Sequence, residues 1–261
     1  MIIRPMPQQQ NKTSWEEVHD WYSHLVGKQG HYYHQQIIIP KTIELLGLSK
    51  ETAVTVLDLA CGQGVLARSL PETIEYWGVD LSPSLIREAK RMTPQKNRHF
   101  CVGDITKRFE IPLKKADIVT MVLAIQDLSN PEEAIAQACR YLVSGGRFLI
   151  VMNHPCFRIP RQSGWGIDEA NKLQYRRLNG YLRPNEIPIQ TAPGKGSHSP
   201  TVLYSHHPLS NYSRWLKDNG MVIELLDEWA SEKKSEGAKK KMEDRARNEF
   251  PLFLCILAKK L

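Results

Sequence analysis

Between residues 54 and 152 the chain alternates short apolar, β-branched runs with amphipathic segments. Residues 54–59 (Val-Thr-Val-Leu-Asp-Leu) end at a glycine bend, Gly62-Gln63-Gly64. Runs of this length that are apolar throughout are the mark of strands buried on both faces. Residues 64–70 then have helical spacing, and residues 74–79 form the next apolar run. Ser82-Pro83 opens a helix, with Ser as the cap and Pro at the first helical position. Residues 100–102 and 117–123 are further strands, and Asn130-Pro131-Glu132-Glu133 caps a helix running to residue 142. Ser144-Gly145-Gly146 turns into the strand at residues 147–152. Such alternation predicts an α/β fold: a parallel sheet, right-handed crossovers, and helices on both faces.

The flanks are different. Gln8-Gln9-Gln10-Asn11-Lys12 reads as a polar tail. Thr13-Ser14-Trp15-Glu16-Glu17 has the form of a capping box opening a helix to residue 25, and a second helix is expected over residues 32–46. From 153 to 204 the alternation stops, and Pro, Gly, aromatic and basic residues dominate; a stretch of this length with weak periodicity is usually functional or mobile. Residues 210–219 are a helix ended by Gly220. Residues 222–226 and 252–257 are two strands that can pair across a connection rich in Lys and Arg. The expected division is a helical cap (1–50), a core (51–153 and 205–261) and an inserted lid (154–204).

Composition excludes several classes. No apolar run approaches the roughly 18 residues of a membrane-spanning helix, and the opening Met1-Ile2-Ile3-Arg4-Pro5 is too short for a signal peptide. The five cysteines are widely spaced, without a CxxC or Cys/His cluster, so no metal site is expected and reduced thiols in a cytoplasmic protein are. The net charge of +7 permits a nucleic-acid partner without requiring one, because its main source, residues 233–247, interleaves Lys and Arg with Glu and Asp as solvated helices do.

The chemistry concentrates at the glycine bend. Gly62 and Gly64 allow close backbone approach to a ligand and feed a helix N-terminus. Three acids end the first three strands: Asp58, Asp80 and Asp104. An acid about 20 residues beyond such glycines accepts ribose hydroxyls, and strand tips at a sheet's carboxyl edge are where open α/β sheets bind ligands. Asp58, an acid in an apolar strand, needs a partner such as a ligand ammonium. Gly62-Gln63-Gly64-Val65-Leu66-Ala67 also fits the dinucleotide fingerprint, so an NAD-dependent oxidoreductase is the rival reading. A carboxylate beside an anionic pyrophosphate counts against it.

These residues resemble class I S-adenosylmethionine-dependent methyltransferases. VLDLACGQG (56–64) is similar to that family's first motif, GVDLSPSLI (78–86) to its second and GDI (103–105) to its third. ADIVTMVLAIQDL (116–128) and YLVSGGRFLIV (141–151) resemble its fourth strand and following turn. Ala60 stands where Gly is commoner, and Gln63 where Thr or Ser is; Gln63 is expected to alter contacts to the methionine end. HHPLSNY (206–212) with Gly220 is similar to a segment of the small-molecule branch, of which ubiquinone/menaquinone-type enzymes are the nearest group. The resemblance implies a Rossmann-like sheet of seven strands, mostly parallel with the last antiparallel, and an insertion after the fifth. It implies S-adenosylmethionine as cofactor. Asp58, Ala60, Gly62 and Gly64 would flank its methionine moiety, Asp80 its ribose, and Leu81, Asp104 and Ile105 its adenine. Leu123, Ala124 and Gln126 would line the floor under the sulfonium, and an aromatic residue from the N-terminal helices (Tyr22, Tyr32 or Tyr33) would close over it.

In-line methyl transfer asks the protein mainly to orient donor and acceptor. His154, directly after the fifth strand, is the expected general base, with His206 and His207 as further candidates. The aromatic residues and arginines of the lid, among them Phe157, Trp165, Arg158 and Arg176, suit a small planar or apolar acceptor, with a carboxylate or phosphate as a further possible feature. An RNA or other nucleic-acid substrate is the main alternative. The fourth strand ends Ala124-Ile125-Gln126-Asp127 and lacks the Asn/Asp-Pro-Pro-Tyr/Phe pattern of amino-methylating enzymes.

Overall fold

The computed structural model describes residues 14–190 and 201–261. The polar tail, Thr13 of the expected capping box and residues 191–200 of the expected lid lie outside them. Helices α1 (Ser14–Glu17) and α2 (His19–Val26) come first. One turn of π-helix, His34–Ile38, then runs into α3 (Ile39–Leu46), which ends on left-handed Gly47. The alternating stretch folds as expected: β1 (Thr55–Leu59), α4 (Val65–Ser69), β2 (Glu75–Asp80), α5 (Pro83–Met92), β3 (Arg98–Val102), β4 (Ala116–Val122), α6 (Pro131–Tyr141) and β5 (Leu142–Asn153). Both expected caps form: Ser82 accepts from the Leu85 N–H, and Asn130 from the Glu133 N–H.

β6 (Ser163–Asp168) pairs with β7 (Leu173–Leu178), and β8 (Asn185–Gln190) with β9 (Thr201–His206), as two antiparallel hairpins. The chain closes with α7 (Leu209–Asp218), β10 (Met221–Trp229), α8 (Lys240–Glu249) and β11 (Phe253–Lys260). The seven-stranded sheet runs β3-β2-β1-β4-β5-β11-β10, with β11 antiparallel to both its neighbours. Chain order reverses between β1 and β4, so a crevice opens at the carboxyl ends of these strands.

Period-2 alternation within the strands supplies two cores. Leu57, Leu59, Val119, Met121, Phe148 and Ile150 face α6 and α7. Val56, Tyr76, Ile118, Leu149 and Val151 face α3, α4 and α5. Truncating a fully buried leucine such as Leu57 costs about 2–5 kcal/mol.

The insertion is the main departure from the sequence reading, which assigned it no strands. The β6–β7 hairpin has no buried side chain, whereas the β8–β9 hairpin buries Ile187, Val202 and Tyr204 on one face, with Pro188 within β8. β9 also crosses the expected boundary at 204/205. The basic segment forms α8 against β7, and two of its cations are paired: Arg245 with Glu249 at 2.8 Å, and Lys239 with Glu169 at 2.9 Å. Phe250, just past α8, packs edge-on against Phe157 and Trp165, which ties this segment to the insertion. No helix among the described residues is long and apolar enough to cross a membrane, and they contain no cluster able to hold a metal ion. All five cysteines are free.

Candidate active site

β1 delivers the glycine bend to the crevice. Ala60, Gly62 and Gly64 all adopt left-handed φ, at 56°, 53° and 74°. Gly64 caps α4, and a Cβ there would lie 3.0 Å from the Phe100 ring, so packing on β3 requires its glycine. A Cβ on Gly62 would instead stand 3.3 Å from the Tyr22 hydroxyl. The bend is fixed to the next strand tip by Asp80, whose carboxylate accepts the Gly62 N–H and the Ser82 N–H, each at 2.8 Å. Burial pushes the Asp80 carboxyl up, with the two backbone N–H groups opposing.

A cavity of about 1260 Å³ opens over these tips. Of the expected cofactor residues, Tyr22, Ala60, Gly62, Asp80, Leu81, Asp104, Ile105, Leu123, Ala124 and Gln126 lie on its wall. Burial works against the charge on Asp104, but hydrogen bonds from Thr106 and Lys107 outweigh it and hold the carboxyl below its ordinary range. Gln126 donates to the Leu123 carbonyl at 2.8 Å, while its buried Oε1 has no partner among the described residues.

Several expected residues stand elsewhere. Asp58 is not on the cavity wall. It lies inside the sheet, where its two oxygens accept from the Tyr76 and Thr120 hydroxyls at 2.7 Å each, so the partner its burial demands comes from the chain itself. Burial raises its carboxyl from 3.8 to about 6, against the pull of those two bonds. The objection to a pyrophosphate-bearing cofactor therefore cannot rest on Asp58. Gln63 is also buried and donates to the Gly27 carbonyl at 2.7 Å, which ties the bend to the end of α2 rather than facing a ligand. Tyr32 is exposed under the Lys233 ammonium, and its neighbour Tyr33 lines the cavity instead.

His154 is likewise off the wall. It is buried, its Nε2 lies 2.6 Å from Glu228 Oε1, and its Nδ1 accepts the Cys156 N–H at 3.2 Å. Burial lowers its pKa, with Glu228 opposing. With Nδ1 accepting and Nε2 donating, no lone pair is left for base work. The cause is register: β5 ends beside β11, the His154 N–H bonds the Leu252 carbonyl, and the ring turns to β10. His206 Nε2 bonds the Tyr181 carbonyl, and His207 contacts Ser205 and Asn211; neither lines the cavity.

Two wall or rim residues were missed, and a third was not singled out. Asp127, on the turn after β4, faces the cavity, and burial pushes its carboxyl well above the ordinary range. The signal was its place after the fourth strand, which topology brings to the same edge. Glu16 reaches from α1 to the start of α5 and accepts from the hydroxyls of Ser82 and Ser84, folding the N-terminal helices over the crevice. Burial opposes its charge, but these bonds prevail and hold it below the usual carboxylate range. Arg158, known from sequence only as one of many lid arginines, also stands on the cavity wall.

Residues 50–160 match a family described as a methyltransferase domain. A demethylmenaquinone methyltransferase from Leptospira interrogans is 33% identical over 101 residues, which is 36% of this chain and 41% of that relative. The chain thus matches less than half the length of this curated relative. A solved S-adenosylmethionine dependent methyltransferase from Mesorhizobium loti superposes with a TM-score of 0.63 at 21% identity, covering 85% of this chain and 98% of that one. A glycopeptide N-methyltransferase complexed with sinefungin superposes at 0.57 with 18% identity, covering 86% and 93%. These likenesses share the fold.

Proposed function

We propose that this chain, which carries a class I S-adenosylmethionine-dependent methyltransferase domain, moves a methyl group from S-adenosylmethionine to a small aromatic or apolar acceptor. The observation that carries this reading is the junction of Asp80 with the Gly62 N–H, at the mouth of a cavity that Asp104 enters from the adjacent strand tip. This suits a nucleoside, with a carboxylate for the ribose hydroxyls and a second acid for the base edge. The fit extends to the bend, where a Cβ on Gly62 would crowd Tyr22, and to the unpartnered Oε1 of Gln126. Quinone-methylating relatives and a fold neighbour solved with a donor analogue support the same reading.

The bound donor would supply an electrophilic methyl group. The chain's part is to hold and orient, which can contribute on the order of 7–11 kcal/mol. Asp80 and Asp104 would fix the nucleoside, and Leu123, Ala124 and Gln126 would form the floor beneath the reacting centre. Tyr22, Trp15 and Tyr33 from the N-terminal segment, with Tyr204 from β9, exclude water from above. We assign the role first expected of His154 to Asp127. Its carboxyl is raised by burial, so once ionised it is a stronger base toward an acceptor's proton than a surface aspartate. The inserted hairpins act as the acceptor lid.

The test is incubation with methyl-labelled donor and, separately, a small-molecule extract and an RNA pool. Label in the extract fraction is expected. Label confined to RNA would replace the small-molecule reading, and no label in either would remove the activity.

A further inference from the structure

Arg158 stands where the main cavity meets a second, smaller pocket of about 250 Å³, and both spaces share Asn153, Arg158, Ile189 and Tyr204 on their walls. Arg176 of β7 lines the small pocket as well. No Asp or Glu does. The two arginines are held differently. Arg176 is fixed: its Nε donates to the Phe157 carbonyl at 2.7 Å, its Nη2 to the Ser163 hydroxyl at 3.0 Å, and its guanidinium lies 4.9 Å from the centre of the Trp165 ring. The Arg158 guanidinium, among the described residues, has no hydrogen bond or ion pair, and only the residue's backbone is engaged, its carbonyl by the Tyr204 hydroxyl at 3.4 Å. Glu186, an acid on the main cavity wall, forms no ion pair with it.

Two cations facing one pocket repel, and the exposed Arg158 side chain, which forms no ion pair among the described residues, keeps its donors available to a ligand in the pocket. Partial desolvation lowers both guanidinium groups, and Arg158 lowers Arg176 further. A planar guanidinium with free donors matches a carboxylate or phosphate in bidentate fashion. We infer that Arg158, backed by Arg176, is the anchor for an anionic group on the methyl acceptor, a carboxylate or phosphate seated in the side pocket while the accepting atom lies over Gln126 and Asp127. The acceptor is therefore an acidic small molecule. This rests on the methyltransferase reading for the identity of the main cavity, whereas the anion site itself does not.

The experiment is a titration of protein labelled with ¹⁵N at arginine, following the Arg158 Nε–H resonance with benzoate, phenyl phosphate and the neutral benzamide as probes. Arg158→Gln identifies the resonance, and Arg158→Lys serves as a variant that keeps the charge. A saturable shift with an anionic probe is expected, at an affinity at least about 10-fold above that for benzamide. Arg158→Gln should abolish the preference and Arg158→Lys retain part of it. The benzoate and phenyl phosphate arms decide between carboxylate and phosphate. No saturable anion-dependent shift, or a preference that survives Arg158→Gln, overturns the inference. Calorimetry with S-adenosylhomocysteine runs in parallel: its failure would sink the methyltransferase reading and leave the anion site standing, and Arg158→Gln should leave that nucleoside's affinity unchanged.

Discussion

Asp58 offers a quantitative check on the structure, because its carboxyl is closed inside the sheet. Burial, outweighing the lowering effect of the Tyr76 and Thr120 hydroxyls, raises it from 3.8 to about 6. A rise of that size corresponds to about 3 kcal/mol between the charged and neutral forms. The sign follows from linkage. The folded chain holds the proton more tightly than the unfolded chain, so the stabilisation is complete below pH 3.8 and is lost as pH rises through about 6. Asp58→Asn keeps the shape and cannot ionise. Urea unfolding of both proteins, without added nucleoside, from about pH 4 to pH 8 follows this group together with its coupling to Asp80. The advantage of wild type over Asp58→Asn should shrink by roughly 2.4 kcal/mol across that interval, the part of the full effect that lies above pH 4. A difference that stays flat with pH would mean that Asp58 is ionised throughout, and the buried two-hydroxyl arrangement would be wrong.

His154→Gln should lower stability by about 1–3 kcal/mol through loss of the Glu228 bond, with turnover per folded molecule unchanged; abolished turnover in a folded variant would restore the base role. Asp127→Asn should reduce turnover by about 10²–10⁴-fold and flatten the rise of rate with pH, which a pH–rate profile measures; an unaltered profile would remove Asp127 from the chemistry. Gly62→Ala places a side chain at φ 53° and against Tyr22, and should cost about 1–2 kcal/mol in thermal unfolding and weaken nucleoside binding. Ala60→Gly relieves a similar strain at φ 56° but frees the unfolded chain, so its stability should change by no more than about 1 kcal/mol in either direction.

Strands β1 to β5 were legible because burial on both faces leaves unbroken apolar runs, and because Ser82 and Asn130 announce the helices they cap. The strand-tip positions of Asp80 and Asp104 followed from the same pattern. Asp58 did not, since its neighbours across the sheet, Tyr76 and Thr120, come from strands whose register only the fold fixes. His154 was misplaced for a related reason: pairing of β5 with β11, about 100 residues later in the chain, turns its ring toward Glu228. The β6–β7 hairpin of the insertion lacks a buried face and so lacks a hydrophobic signature, and Pro188 within β8 masks the strand that buries Ile187. Asp127 and Arg158 are ordinary polar residues in turns until the tertiary fold brings them to one cavity.

The most direct measurement is calorimetric titration of the purified chain with S-adenosylhomocysteine and, in parallel, with NAD. Saturable binding of the sulfur nucleoside alone is expected, weakened about 10–100-fold by Asp80→Asn through loss of a charged hydrogen-bond acceptor. Binding of NAD in its place, or an Asp80→Asn protein that binds the nucleoside as wild type does, would contradict the assignment of this crevice.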